Sequence, residues 1–266
     1  MNHLLRSHAP ITDKAWEEID REARERLVPG LAARKLVDFE GPHGWRHSAT
    51  NLGRTEAIEK APFDGLQASR RRVLPLVELR AQFTIARSEL MDLERGAADL
   101  DLESLDQAAG KISLAENIAV FNGWKEAGIV GIAQATTHKP LSLGADHAGY
   151  PSRIAKAVET LRNAGIGGPY GLALGPKVYT AVVESTEHGG YLVFDHLHHI
   201  LGGPIVWAPG VEGAILMSQR GSEFLFESGQ DISVGYSHHD AERVYLYLEE
   251  TFSFRVAQPD AAVVLS

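Results

Sequence analysis

Four histidines crowd one stretch of the chain, His188, His196, His198 and His199, with Asp195 among them. If the stretch is helical, Asp195 and His199 lie one turn apart on a shared face, a spacing that can hold a divalent cation. The stretch lacks both an HExxH pattern and a carboxylate–histidine framework that would fix catalytic geometry. A polar, solvated face is the simpler reading, and no metal is expected. His238-His239-Asp240 follows an extended run and reads as a turn between strands. Glu249 and Glu250 are neighbours in a strand pattern, so they point to opposite faces and cannot act on one substrate. Glu250 interrupts an apolar face; a buried carboxylate needs a partner, and an ion pair is expected there rather than a general base. No serine sits in a GxSxG elbow. The chain has no cysteine, which removes disulfides, zinc–thiolate sites and cysteine nucleophiles. The glycine-rich stretch 165–169 follows a helix pattern and precedes a strand, the reverse of a dinucleotide-binding loop, and reads as a turn. Arg70-Arg71-Arg72 is an isolated basic run without interleaved aromatics, unlike a nucleic-acid surface. These residues assemble no active site, and the chain is not expected to be an enzyme.

The elements that carry these residues are legible from periodicity. Trp16, Ile19, Ala23 and Leu27 recur at helical spacing and predict an amphipathic helix over about 13–28, capped by Thr12 and stopped by Pro29-Gly30. Between about 34 and 80, turn signals separate short extended runs, and a long two-stranded arm is expected. Residues 73–83 read as one strand, demoted to an edge or bulge by Pro75. A short helix over about 89–95 stops at Gly96. A long spine helix is predicted over about 105–127, with Ser104 and Gln107 as a capping box and Gly128 as its left-handed stop, about 35 Å long at ~1.5 Å per residue. Helix and strand units follow to about 219. The final signal is strict alternation from Arg243 to Val256, with Val244, Leu246, Leu248, Phe252, Phe254 and Val256 on one buried face. The order is that of an α+β protein.

Composition narrows the function classes. The 266 residues carry a formal charge of −9, with 44% hydrophobic and 23% charged residues, an ordinary globular balance. An acidic chain does not favour wrapping nucleic acid, whose phosphates call for clustered Lys and Arg. The N-terminal stretch MNHLLRSHAPITDKAWEE has no apolar h-region, so no signal peptide is expected. No window approaches ~18 consecutive apolar residues, so no membrane partner is expected.

Dispersed stretches, in order over essentially the whole chain, resemble the encapsulin shell-protein family (family 1, also described as linocin-like bacteriocins). They are LLRSHAPITDKAW from Leu4, Arg34-Lys35-Leu36-Val37-Asp38, Glu40-Gly41-Pro42-His43-Gly44-Trp45, LVELRAQFT from Leu76 and Leu93-Glu94-Arg95-Gly96. Further along come Gly168-Pro169-Tyr170, Arg220-Gly221, GQDISVGY from Gly229, and Glu250-Thr251-Phe252-Ser253-Phe254.

The resemblance implies the tailed-phage major capsid (HK-97-like) fold. The expected divisions are 1–45 as the N-terminal helix and start of a peripheral domain, 46–80 as the extended loop arm, 81–135 as the peripheral domain with its spine helix, 136–219 as an axial domain, and 220–266 as peripheral strands. It implies a homo-oligomer of many copies closing into an icosahedral nanocompartment in a prokaryotic cytoplasm. The shell would enclose a dye-decolorizing peroxidase or a ferritin-like iron-oxidising protein through the cargo's C-terminal peptide, in the service of oxidative-stress defence or iron storage. Carried over by motif, Arg34, Asp38, Asp231 and Ile232 are the cargo-peptide residues, although Arg34 and Asp38, four apart, could instead pair with each other. Glu187, His188, Gly189, Gly190 and Tyr191 fall at the expected five-fold pore turn, where a ring of His188 would titrate near neutral pH. Some members bind flavin beside a tryptophan; Ser88 stands in that place and offers no aromatic face, so no flavin is expected. The alternative is a phage major capsid protein of the same fold, which the acidic charge and the N-terminal helix disfavour.

Overall fold

A computed structural model describes residues 3–144, 146–186 and 190–266. In chain order the elements are α1 (Asp13–Gly30), β1 (Asp38–Glu40), β2 (Ala49–Ile58), β3 (Ala68–Pro75), β4 (Val77–Ala86), α2 (Arg87–Arg95) and α3 (Glu103–Phe121). Then come α4 (Ile132–Ala135), α5 (Tyr150–Asn163), β5 (Tyr170–Leu174), α6 (Pro176–Glu184), α7 (Val193–Leu201) and β6 (Gly202–Trp207). The chain finishes with β7 (Ala214–Ser218), β8 (Phe224–Ser228), β9 (Ser233–His239), β10 (Arg243–Val256) and β11 (Ala262–Leu265).

β10 organises the larger sheet. One edge pairs antiparallel with β4 from Arg243 to Phe252; the other pairs with β9 through its first half and with β8 through its second. The short β1 runs parallel beside β8. The even positions of β10 face the core as the alternation predicts, but the odd face is covered too: Tyr247, Glu249, Thr251 and Ser253 are buried. Thr50 reaches Ser253 (Oγ1 to Oγ, 2.6 Å), and Arg80 and His3 close over Glu249. A central strand loses solvent on both faces when the chain's own arm root and N-terminus fold across it, which alternation within one strand cannot reveal.

Two apolar clusters share β10 and the spine helix α3. The first joins Leu105, Ala108, Ala109 and Ile112 of α3 to Val244, Leu246 and Leu248 and to the buried stripe of α1. The second joins Ala119, Val120 and Phe121 to Phe252, Phe254 and the smaller sheet. Between them, on both elements, the apolar sequence is interrupted by a buried glutamate: Glu116 on α3 and Glu250 on β10, 0% and 1% exposed.

The spine departs from its predicted ends. Ser104 lies inside the first turn, and its hydroxyl donates to the Thr84 carbonyl, tying the helix to β4 instead of capping it. The helix stops at Phe121 because Gly123 (φ +93°) turns the backbone left-handed against Gly131, where a Cβ would lie 2.8 Å from the Gly131 nitrogen. Gly128 ends only the short 3-10 turn that follows. At ~1.5 Å per residue the helix is about 28 Å long, not about 35 Å. Conversely, α1 runs through Pro29 and Gly30; in a last turn the proline forfeits only its own amide bond. The strand expected over 73–83 is broken at Leu76, after Pro75, into β3 and β4.

β2 and β3 form a separate antiparallel ribbon, pairing Ala49 with Pro75 at its root and Ile58 with Ala68 towards its tip. The basic run lies on it, with Arg70 opposite Glu56. Phe63 is 74% exposed, and Ile58, Leu66 and Val73 are exposed as well. The smaller sheet, in the order β11-β7-β5-β6, carries α5 and α7 against it. β11 pairs antiparallel with β7, so the last strand joins the smaller sheet and not the peripheral strands to which residues 220–266 are assigned by resemblance. Buried β5, with all five residues inside, is the centre of this unit.

Candidate functional site

Between α1, the N-terminal segment and the start of β9 lies a groove of about 540 Å³. Its apolar surface includes Leu4, Leu27, Val28, Leu31 and Ile232. α1 supplies Leu27 on its buried stripe and Val28, 55% exposed, on the rim. Several contacts hold the N-terminal segment along the groove. The Leu4 carbonyl accepts from the Tyr236 amide (2.8 Å), Arg6 pairs in two-pronged fashion with Asp20 (2.7 and 3.0 Å), and the Arg6 guanidinium lies 4.0 Å over the Trp16 ring. A two-pronged guanidinium–carboxylate contact fixes orientation as well as distance.

The floor is polar. Arg34 projects from a 3-10 turn, Ala33–Lys35, whose approach is fixed by Asn117 of α3: its Oδ1 accepts from the Ala32 and Ala33 amides, and its Nδ2 donates to the Gly30 carbonyl. Thus placed, Arg34 donates through Nε to Glu116 (2.7 Å), through Nη1 to Asp231 (2.6 Å) and through Nη2 to Glu250 (2.9 Å). The guanidinium also faces the Phe39 and Phe226 rings at 5.0 and 5.6 Å. Burial opposes its charge, but the carboxylates, Glu116 foremost, outweigh that and keep it protonated. Glu250 is pushed well above the ordinary carboxylate value, by burial first and by the neighbouring Glu116 second; burial also raises Glu116. One guanidinium cannot neutralise two acids inside the core and a third at its edge, which is why burial and mutual repulsion disfavour the charged forms of the inner pair.

This gives a pH dependence of defined sign. A carboxyl whose folded value is raised contributes stability that is complete below its unfolded value of 4.5 and is lost as pH rises through the folded value. Glu250→Gln keeps the shape without the titration. The thermal midpoint of the wild type, relative to that of E250Q, is expected to fall as pH rises above 4.5. A difference that stays constant as pH rises contradicts the upward shift of Glu250.

The structure unites three of the four motif-derived residues and separates one. Arg34, Asp231 and Ile232 border the groove. Asp38 does not: its Oδ2 accepts from the Glu223 amide (3.3 Å), and it lines a different depression with His43, His47 and Arg255. Neither does it pair with Arg34. The four-residue spacing would join them only on a helix, and the chain leaves its 3-10 turn at Leu36 to become extended at β1. Of the pore-turn residues, Glu187, His188 and Gly189 lie outside the described residues. Gly190 (φ +78°) and the half-exposed Tyr191 sit on a turn between α6 and α7 closed by a Thr186–Leu192 bridge. His199 Nδ1 contacts its own helix, 2.7 Å from the Asp195 carbonyl, and no group of three metal-ligating side chains converges among the described residues. Ser88 is exposed in the first turn of α2. His238-His239-Asp240 ends β9, with Asp240 Oδ1 accepting from the Glu242 and Arg243 amides as a turn residue does.

Comparison with known proteins decides the class of molecule. Residues 1–253 match the family described as "Encapsulating protein for peroxidase". A Type 1 encapsulin shell protein of Rhodospirillum rubrum is 47% identical, the alignment covering all of this chain and 96% of the relative. The chain belongs to the encapsulin shell-protein family. Among solved structures, a virus-like particle from Pyrococcus furiosus superposes with a TM-score of 0.65 at 18% identity, over 92% of this chain and 98% of that one. The capsid of an empty GTA particle superposes with a TM-score of 0.56 at 15% identity, over 89% of both chains. The encapsulin therefore has the tailed-phage major capsid fold. High identity to a shell protein, against mere fold likeness to capsids, favours the encapsulin reading over the phage alternative. No helix among the described residues is long and apolar enough to cross a membrane.

Proposed function

We propose that the chain assembles in many copies into a closed icosahedral compartment and holds a cargo enzyme inside by seating that enzyme's C-terminal peptide in the α1 groove. The single observation that carries the seat is the groove itself: open apolar surface from α1 and Ile232 beside a fixed polar floor of Arg34 and Asp231. Apolar lining with a few placed polar groups suits a short mixed peptide. The arm supports the assembly. A ribbon exposing Phe63, Ile58, Leu66 and Val73 is incomplete alone and is completed by a neighbouring copy. The cargo is a dye-decolorizing peroxidase or a ferritin-like iron-oxidising protein, in keeping with the family description, and the compartment serves oxidative-stress defence or iron storage in a prokaryotic cytoplasm. The shell subunit performs no catalysis of its own, and the turn bearing Gly190 and Tyr191 lines an opening at a symmetry axis.

The test is to purify particles from the native host and identify the protein inside by mass spectrometry. A peroxidase or ferritin-like protein is expected, with an absorbance ratio at 260 and 280 nm typical of protein. A nucleic-acid ratio contradicts the reading. The double variant Val28→Asp and Ile232→Asp is expected to form particles of normal size with at least ~10-fold less cargo, because each carboxylate must lose water in an apolar contact; undiminished loading places the cargo elsewhere.

A further inference from the structure

The larger sheet ends on β4, and part of that edge is bare. The register with β10 fixes which groups point outward. The Arg87 amide donates to the Glu242 carbonyl (2.8 Å), and an antiparallel pair bonds at every second residue. Leu79, Ala81, Phe83 and Ile85 therefore bond inward to β10, while Glu78, Arg80, Gln82 and Thr84 turn their amides and carbonyls away from it. The chain closes this row at both ends. The Ser104 hydroxyl accepts from the Thr84 amide (3.3 Å) and donates to the Thr84 carbonyl. The Leu76 amide donates to the Ser48 carbonyl (3.0 Å). Between these closures, the outward backbone groups of Glu78, Arg80 and Gln82 take no hydrogen bond from the described residues, and all three residues are exposed. A bare strand edge is a template for another strand.

We propose that this edge is the seat of a second copy of the chain, the β4 strands of two subunits joining antiparallel across a two-fold axis. The inference rests on the shell reading, because a closed icosahedral compartment contains such axes. A two-fold contact must be self-complementary, and this stretch is. Glu78 and Arg80 share one face of β4, their side chains 3.1 Å apart and 45% and 47% exposed. Arg80 is held in place: its Nε donates to buried Glu249, and its guanidinium lies 4.7 Å over the Tyr247 ring. With Glu78 opposite the partner's Arg80, and Arg80 opposite the partner's Glu78, opposite charges alternate around the axis and each backbone pair exchanges two hydrogen bonds. The same register sets Leu79 opposite the partner's Leu79 and Val77 opposite the partner's Ala81. These three side chains lie on the core face and are only partly buried within one subunit; pairing covers what remains. Neighbouring registers fit worse. One step along, Arg80 meets the partner's Arg80, and like charges directly opposite are destabilising. A further step sets Glu78 against the partner's Thr84, where Ser104 already holds the edge.

The chain has no cysteine, so a single introduced thiol reports a single contact. In the proposed register the two Leu79 residues straddle the axis as a non-hydrogen-bonded pair, with Cα atoms about 4.5 Å apart, within disulfide reach. Shells of Leu79→Cys and of Ala81→Cys are assembled under reducing conditions, sized by chromatography, oxidised and run on a non-reducing gel. L79C shells are expected to yield at least ~10-fold more covalent dimer than A81C shells. Dimer from A81C in place of L79C overturns the register, and no dimer from intact L79C shells overturns the pairing; in both cases the shell reading stands. If L79C does not assemble, Val77→Cys combined with Ala81→Cys reads the same register, because those positions face each other across the axis, and intact shells of that double variant without dimer overturn the pairing. Glu78→Arg sets like charges opposite and is expected to lower shell yield at least ~10-fold with the subunit still folded by circular dichroism; undiminished yield overturns the charge match. A wild-type chain that forms no shells removes the shell reading and the inference together.

Discussion

Arg34→Ala is expected to cost the subunit about 3–5 kcal/mol, the scale of stripping the counter-charge from a buried ion cluster. Glu116 and Glu250 are sealed between two apolar clusters. Without the guanidinium they keep their burial and lose the cation that pairs with both. Both must then be protonated at neutral pH or drag water into the seam where α3, β10 and the 3-10 turn meet. Since a domain's whole stability is about 5–15 kcal/mol, the variant should give sharply lowered thermal midpoints and few or no particles. The cause can be separated from lost packing: Arg34→Met with Glu116→Gln and Glu250→Gln replaces the cluster by neutral groups of similar shape. That triple variant is expected to recover most of the midpoint. If it is no better than Arg34→Ala, the charge imbalance is not what the site controls.

Removing the arm should separate folding from assembly. β2 and β3 pair with each other over nearly their whole length and are mostly exposed beyond their root, where Thr50 is buried. Replacing residues 51–73 by a short Gly-Ser turn leaves the root, including the Thr50–Ser253 contact, in place. The subunit is expected to keep its circular dichroism and to melt within a few degrees of the wild type, while the shell population falls by at least ~10-fold in favour of small oligomers. Closed shells of normal size from the armless chain would mean that the exposed Phe63, Ile58, Leu66 and Val73 have no structural partner in the assembly.

Much of the fold was legible because local rules and tertiary context agree there. The stripe of Trp16, Ile19, Ala23 and Leu27 became the buried face of α1, and the alternation from Val244 became the even face of β10. Errors cluster where a distant segment decides. Ser104 resembles a cap by spacing, yet its hydroxyl is claimed by Thr84, twenty residues away. Gly128 looks like the spine's stop, but Gly123 meets the returning Gly131 first. Asp38 fell on a helical spacing from Arg34 that the backbone does not keep.

The floor of the groove was half visible. Glu250 declared itself by breaking an apolar face, and its need for a partner was met by Arg34. Glu116 passed unnoticed, since a glutamate on a helix is ordinarily solvated. The available signal was that α3 is apolar on more than one face, which leaves a charge little solvent to reach. The roles of Leu4 and Arg6 depend on the N-terminal segment folding back along β9, and no periodicity in a short irregular segment encodes that.

The central claim is that this subunit exists to build a closed shell. Size-exclusion chromatography of the purified chain, with negative-stain microscopy of the leading peak, tests it most directly. Uniform hollow particles in the megadalton range are expected; a monomer or small oligomer under native conditions would contradict shell formation.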